Sequence, residues 1–473
     1  MTAVRRIQLA LLLGAATLLA PSARAQNPAT PANPAKPTRC TLVPQPTTRL
    51  SSDTLPTGQQ IAFVGGGVIL KCPERGITLQ GDSAEQYPDR DYLIGHVIYD
   101  EPRLHLTSDF LTHYPADERI VAAGNVDAKL PSGSSLKGPN AELQRVLLPM
   151  RPRRKLIATQ RPTISIVEKD STGKPMEPMT VVSNTVLMDG DSLIYAGGQV
   201  VITRPNLGAT ADSAAIDETK EIMQLMRKPQ ITGKKDRPFS LSGDLIDLYS
   251  KNRKLNRVIA RAHAKAVSDS MTITSDTIDL RVKDDLLDHA YAWGGSTNRA
   301  RAVSPSQNML ADSLDISMPM QRVQLVRALR KAFADSKPDT LKFHVEPADS
   351  IDWLRGDTIV AHFDTAATKD TSKTPNIQSL VSTGAAKAYY HLAPSDTALR
   401  LPAINYVVAR QITIAFENKN GRSSVSTVTN VDSISGVYIE PKTDSTTKGK
   451  NAPKSTDKPK SIVPLPPIKP IKP

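Results

Sequence analysis

Cysteine and aromatic residues are scarce in this 473-residue chain: it has 2 Cys, 7 Phe, 11 Tyr and 2 Trp, and aromatics make up 4% of the total. A compact globule of this length fills its centre with large rings. Their scarcity favours a thin, extended core of small and β-branched side chains. No long apolar run occurs beyond the first 25 residues, which excludes a polytopic helical membrane protein. Catalytic signatures are missing as well: there is no G-x-S-x-G elbow, P-loop or H-E-x-x-H. The 8 His are scattered. The closest set, His96, His105 and His113, lacks the short pairing of a zinc site and reads as strand surface. Tyr389-Tyr390-His391 reads as part of a packed strand. Asp and Glu are plentiful, but nothing marks out a glycosidase-like pair. No enzyme activity, cofactor or metal is expected.

The N-terminus has the layout of a secretory signal. Arg5 and Arg6 precede an apolar Leu9–Ala20, and Ala23-Arg24-Ala25 forms an A-x-A cleavage site before Gln26. This predicts export to a bacterial periplasm or beyond, with outer-membrane association as one destination. The formal net charge of +13 is concentrated at the ends. The signal holds Arg5, Arg6 and Arg24, residues 26–40 hold Lys36 and Arg39, and the tail from Lys442 to Pro473 sets eight Lys against Asp444 and Asp457. The body keeps only about +2, too little for a basic nucleic-acid-binding face. Cys40 and Cys72, an even count in an oxidising compartment, are a candidate disulfide; closing that loop is worth roughly 3–4 kcal/mol in the chain-entropy model.

Four segments follow from composition: a signal over 1–25, a Pro/Ala/Thr-rich linker over 26–56, an ordered body over 57–441 and a Lys/Pro-rich tail over 442–473. The body divides into sub-modules 57–206 and 207–441, and it is repetitive. A short motif centres on Asp82, Asp109, Asn184, Asp212, Asp244, Asp276, Asp312 and Asp357, at spacings of 27, 75, 28, 32, 32, 36 and 45 residues. The long gap hides a degenerate copy around Leu136, Gly138 and Ala141, and a weak last copy lies near Ile412 and Ile414. Three positions before the Asx stand Leu79, Leu106, Val181, Ala209, Leu241, Ile273, Met309 and Leu354, all apolar. One position before it stand Gly81, Ser108, Ser183, Ala211, Gly243, Ser275, Ala311 and Gly356, all small. Two positions after it stand Ala84, Leu111, Val186, Ala214, Ile246, Ile278, Leu314 and Ile359, again apolar.

Period-2 alternation is the signature of a half-buried strand. Here, however, the apolar positions precede the Asx at odd offsets and follow it at even ones. A straight strand cannot do this. One extra residue must be absorbed at the small–Asx step, as a bulge or as a corner between two sheets, with the Asx accepting backbone N–H groups there. Stacked carboxylates could instead hold Ca²⁺, but one acid per unit is a poor match for six to eight oxygens, so structure is the stronger reading by about four to one. A second strand follows each polar turn, as in Leu193 to Ile202. Val323–Phe333, rich in Ala, Leu and Arg, is open between helix and strand.

Gly81-Asp82-Ser83-Ala84-Glu85, the turn Tyr87 to Arg90, and Ile120-Val121-Ala122-Ala123-Gly124-Asn125-Val126, in that order, resemble the OstA-like domain family (LptA/OstA-like). That domain occurs in periplasmic lipopolysaccharide-transport bridge proteins and at the N-terminus of their outer-membrane translocon. The resemblance is closest over Gly76 to Leu143 and extends loosely to Pro441. It implies an all-β fold, an elongated twisted β-jelly roll of repeated bent strand pairs, open along one side and sheltering lipid A acyl chains. The groove candidates it implies are Leu79, Ala84, Leu106, Leu111, Val181, Val186, Leu241, Ile246, Ile273, Ile278, Met309, Leu314, Leu354 and Ile359. The implied partners are lipopolysaccharide or a similar acylated glycolipid, and other bridge components or a second copy joined by edge-strand pairing. The chain is longer than a typical bridge subunit and offers too few strands after Ile412 for a membrane barrel. A closed structural or adhesive β-solenoid without ligand and a carrier of another lipid are the competing readings.

Overall fold

The computed structural model describes residues 40–441, apart from 168, 170–171, 234–237, 269–270, 296–297, 306, 339–342, 347–349, 365–375, 395–400 and 420–421. The signal and the basic tail lie outside the described residues. Within them the protein is all-β, with thirty strands, two single-turn 3-10 helices and no α-helix. It divides into two compact units, the first ending at residue 131 and resuming over 139–155, the second comprising 132–138 and everything from 156 onward.

In the first unit Gln60–Cys72, Ile77–Gln86, Asp91–Glu101, Leu104–Tyr114 and Arg119–Lys129 pair antiparallel in chain order. The short strands Thr41–Val43 and Arg49–Thr54 lie along the two halves of Gln60–Cys72. The linker reading of 26–56 is therefore too long, because its last part is the first rung of the sheet. Pro and Thr made that stretch look unstructured, yet 49–54 is an exposed edge strand, which polar residues suit.

The second unit continues the pattern. Leu193–Thr203 pairs with Leu207–Asp217, Lys254–Ser268 with Thr272–Lys283, Leu325–Ser336 with Asp352–Phe363, and Ile377–Leu392 with Ala403–Lys419. The division falls between 131 and 156, not at 206/207. Over 145–154 the chain leaves the ladder, and Pro149 and Pro152 withdraw two amide donors there. The open segment 323–333 belongs to a strand, Leu325–Ser336, hydrogen-bonded on one side to Ser313–Ser317 and on the other to Asp352–Phe363. Pairing on both sides overrides its Ala/Leu/Arg helix propensity.

At the predicted small–Asx steps the strands bend or break, and the register shows how. On the Asx strands the inward residues flanking the bend are three apart, as in Ser108 and Leu111, or Ser275 and Ile278. On the strands between them the spacing is four, as in Leu93 and Val97, Ala196 and Val200, or Ala328 and Ala332. The register shifts at each crossing, for example between Ile94 and Val97 against Ser108 and Phe110. The extra residue thus sits on the partner strand, where two consecutive residues have positive φ: Gly95-His96, Gly124-Asn125, Gly198-Gln199, Ala262-His263, Arg330-Lys331 and Gly384-Ala385. The degenerate copies fit the same frame. Leu136 and Ala141 are buried around Pro139, and Val407, Ala409 and Ile412 are buried around Arg410.

Candidate functional site

The bend folds each strand into two halves, which places the halves before and after the Asx in facing half-sheets. Their inward side chains form the interior. All fourteen groove candidates lie in it, each at most 5% exposed, so they form packed core. The bend residues Asp82, Asp109, Asn184, Asp212, Asp244, Asp276, Asp312 and Asp357 face outward, and all but Asp212 and Asp276 lie opposite the positive-φ pairs named above. His96 Nδ1 lies 2.8 Å from Asp82 and His263 Nδ1 3.1 Å from Asp244, and Asn125 donates to Asp109 at 2.8 Å.

Only part of the predicted capping is found. Asp276 accepts the Gly295 N–H at 2.7 Å, and that bond, followed by the one from Asn298, holds its carboxyl below the usual range. Elsewhere the Asx backbone N–H is the donor, from Asn184 to the Gly198 carbonyl, Asp212 to Arg227, Asp244 to Ala262 and Asp312 to Arg330. At Gly356 the backbone leaves no room for a larger residue before the Asx, since a Cβ would strike the Ser382 hydroxyl and the Thr383 carbonyl. At Gly81 a Cβ would meet only ordinary contacts.

Opposite the bend, the free ends of the half-sheets approach one another along a seam. In the first unit a polar network crosses it. Arg145 reaches Glu101 and Glu118, each at 3.1 Å, and donates to the Arg75 carbonyl at 3.2 Å; Arg75 in turn pairs with Glu118 at 3.1 Å. Tyr99, wholly buried, donates to Glu101 at 3.0 Å, and burial followed by the Glu101 charge pushes its phenol pKa up. Further along the same interior a disulfide joins Cys40 to Cys72 beside a buried Asp91–His113 pair. His113 is therefore not the strand-surface residue expected from sequence.

In the second unit the seam holds a narrow cleft of about 30 Å³, room for one or two waters. Its apolar walls are Ile166 and Met179 on one side and Ile216, Ile222, Met223, Leu248 and Leu255 on the other. Charged residues rim it. Arg253 turns back onto its own half-sheet, donating to the Glu218 carbonyl at 3.1 Å, while Arg204 leans on the Met179 sulfur at 3.2 Å. The sequence reading missed these walls because it stopped two positions after the Asx. Ile216 and Leu248 are the next inward positions, four after Asp212 and Asp244, and period 2 predicts them.

Comparisons add little to this geometry. No family model matches the chain, and no curated protein matches it. Among solved structures the chain is similar to LptH of Pseudomonas aeruginosa, described as the LptA-homologous periplasmic component of a lipopolysaccharide transport device. The match has 16% identity and a TM-score of 0.23, and covers 27% of this chain and 94% of that one.

Proposed function

We propose that the chain is a non-enzymatic, exported lipid carrier that shelters the acyl chains of lipopolysaccharide or a similar acylated glycolipid on its way to the outer membrane. The observation that carries this reading is the apolar lining of the seam in the second unit, where the buried Ile166, Met179, Ile216, Met223 and Leu248 surround a narrow cleft that an acyl chain would have to widen. Moving an acylated lipid through water costs about 0.8 kcal/mol for each exposed CH₂. An apolar slot removes that cost without a reaction. The OstA-like phrases of the sequence point the same way, and the signal-like N-terminus supports a periplasmic site of action.

A closed structural roll is the second reading, favoured by the complete burial of the fourteen inward candidates. A lipid must therefore enter at the cleft and displace core, or not enter at all. Edge strands offer the means to join other bridge components or a second copy. Among the described residues, Arg49–Thr54 and the last strands, Arg422–Val431 and Ser435–Ile439, each border one partner strand.

The test is a photo-crosslinking residue at Ile278, inward, and another at Thr277, its outward neighbour, in intact cells. Glycolipid adducts at Ile278 alone support the carrier. Adducts at neither site, with the protein exported and folded, support the closed roll.

A further inference from the structure

In the first unit three strands and the residue just before Thr41–Val43 bring Cys40, Cys72, Asp91 and His113 to one point. Cys40 Sγ lies 3.9 Å from His113 Nδ1, and that nitrogen lies 3.2 Å from Asp91 Oδ2. One ligand atom from each of Cys40, Asp91 and His113 falls within 4.8 Å of the others. The Asp91 and His113 side chains are 0% and 2% exposed. A tetrahedral ion with ordinary Zn–S, Zn–N and Zn–O bond lengths separates its S and N ligands by about 3.5 Å and its N and O ligands by about 3.4 Å. The separations among Cys40, Asp91 and His113 need only tenths of an ångström of adjustment, while the two sulfurs, bonded to each other in the disulfide, must part to about 3.8 Å once reduced. The other Asp91 oxygen accepts Gln86 Nε2 at 3.2 Å, the kind of outer contact that fixes a ligating carboxylate.

We infer that the dithiol form of this protein is a divalent-metal site, binding Zn²⁺ through Cys40, Cys72, His113 and Asp91, and that the disulfide and the metal are alternative ways of closing the same end of the roll. In the disulfide form the sulfurs are poor ligands. A dithiol or phosphine reductant breaks the Sγ–Sγ bond, supplying two electrons while two protons complete the thiols, and is itself oxidised. Binding the cation then releases the two thiol protons to solvent. Before oxidation the newly exported chain is in this dithiol form, so the metal would hold Thr41–Val43 against Gln60–Cys72 until the disulfide replaces it. Sequence inspection misses the site because its four residues are spread over 74 positions, from Cys40 to His113, without a short ligand pair.

The test uses the full chain, oxidised or reduced anaerobically with a phosphine, titrated with Co²⁺ and then Zn²⁺. The reduced protein is expected to bind one Co²⁺ with thiolate charge-transfer absorption, and Zn²⁺ to displace it; the oxidised protein is expected to show no such absorption. Asp91→Asn should weaken binding by at least the roughly 10–100-fold typical of losing an outer contact to a metal ligand, and His113→Gln at least as much. Both variants are first checked for fold in the oxidised state by circular dichroism. Cys72→Ser, which leaves the Asp91–His113 contact untouched, should lose part of the charge-transfer intensity. No thiolate–cobalt absorption in the reduced protein would overturn the inference. So would absorption and affinity unchanged in both Asp91→Asn and His113→Gln, since Cys40 and Cys72 would then bind the ion without the folded site.

Discussion

The two units are built from the same bent rungs, yet they treat their seams differently. The first closes its seam with Arg75, Glu101, Glu118 and Arg145, and pins its outermost rung with a disulfide. The second leaves apolar walls facing one another across a charged rim. Bend chemistry therefore sets the architecture, while residues at the strand ends decide whether the interior is reachable. Inward positions are constrained alike in both units by packing. Seam positions are not, and they are where one roll can be a strut and another a container.

Four tests would break or sharpen this contrast. The largest effect is expected from Cys40→Ser with Cys72→Ser, which should cost the first unit roughly 3–4 kcal/mol. Hydrogen exchange should show protection falling in Gln60–Cys72 and Ile77–Gln86 but not in Lys254–Ser268. Next, Arg145→Ala leaves Glu101 and Glu118 without a cation that bridges them. A cost of about 2–3 kcal/mol is expected, below that of a fully buried pair because Arg145 is partly exposed. Denaturant unfolding followed by exchange at Tyr99 would read it, and a cleft like that of the second unit should open.

The bends themselves give the next test. Gly95 has φ 76°, and a Cβ there would run into the Asp82 carboxylate, so Gly95→Ala should cost about 1–3 kcal/mol. The second unit uses Ala262 and His263 at the equivalent step, with φ 56° and 53°. Ala262→Gly should therefore stabilise by about 1 kcal/mol. Paired thermal melts of the two variants check both signs.

The smallest effect is a pH dependence at Asp276. Its folded pKa lies below the unfolded value, first because of the Gly295 N–H bond. Its contribution is thus present above the ordinary carboxylate pKa and is lost as pH falls through the folded one. Exchange at Gly295 should speed up across that acid window in the wild type and show no such step in Asp276→Asn.

Much of the architecture was legible because a bend leaves a phase error in the apolar pattern. Leu79 and Ala84 are five apart and both buried, which no straight strand allows. The partner bulge was less visible. A four-residue gap such as Leu93 to Val97 keeps the parity of an unbroken strand, so nothing in the alternation marks it. Glycine marks some of these bulges, but Ala262-His263 and Arg330-Lys331 show that it is not required. The seam was illegible for another reason: Arg75, Glu118 and Arg145 meet only after three separate turns are brought side by side, and no local period records that. The first rung was missed because an exposed edge strand has no inward stripe to read.

The most direct measurement places a photo-crosslinking side chain at Met223 in the wall of the second unit's cleft, at Gln224 on its outer face, and at Leu93 in the interior of the first unit, then analyses the protein isolated from cells for acylated adducts. The account predicts adducts at Met223 and none at Gln224 or Leu93. Adducts at Leu93 and Met223 alike would contradict the latched first unit, and adducts at none of the three would contradict the lipid-carrying role itself.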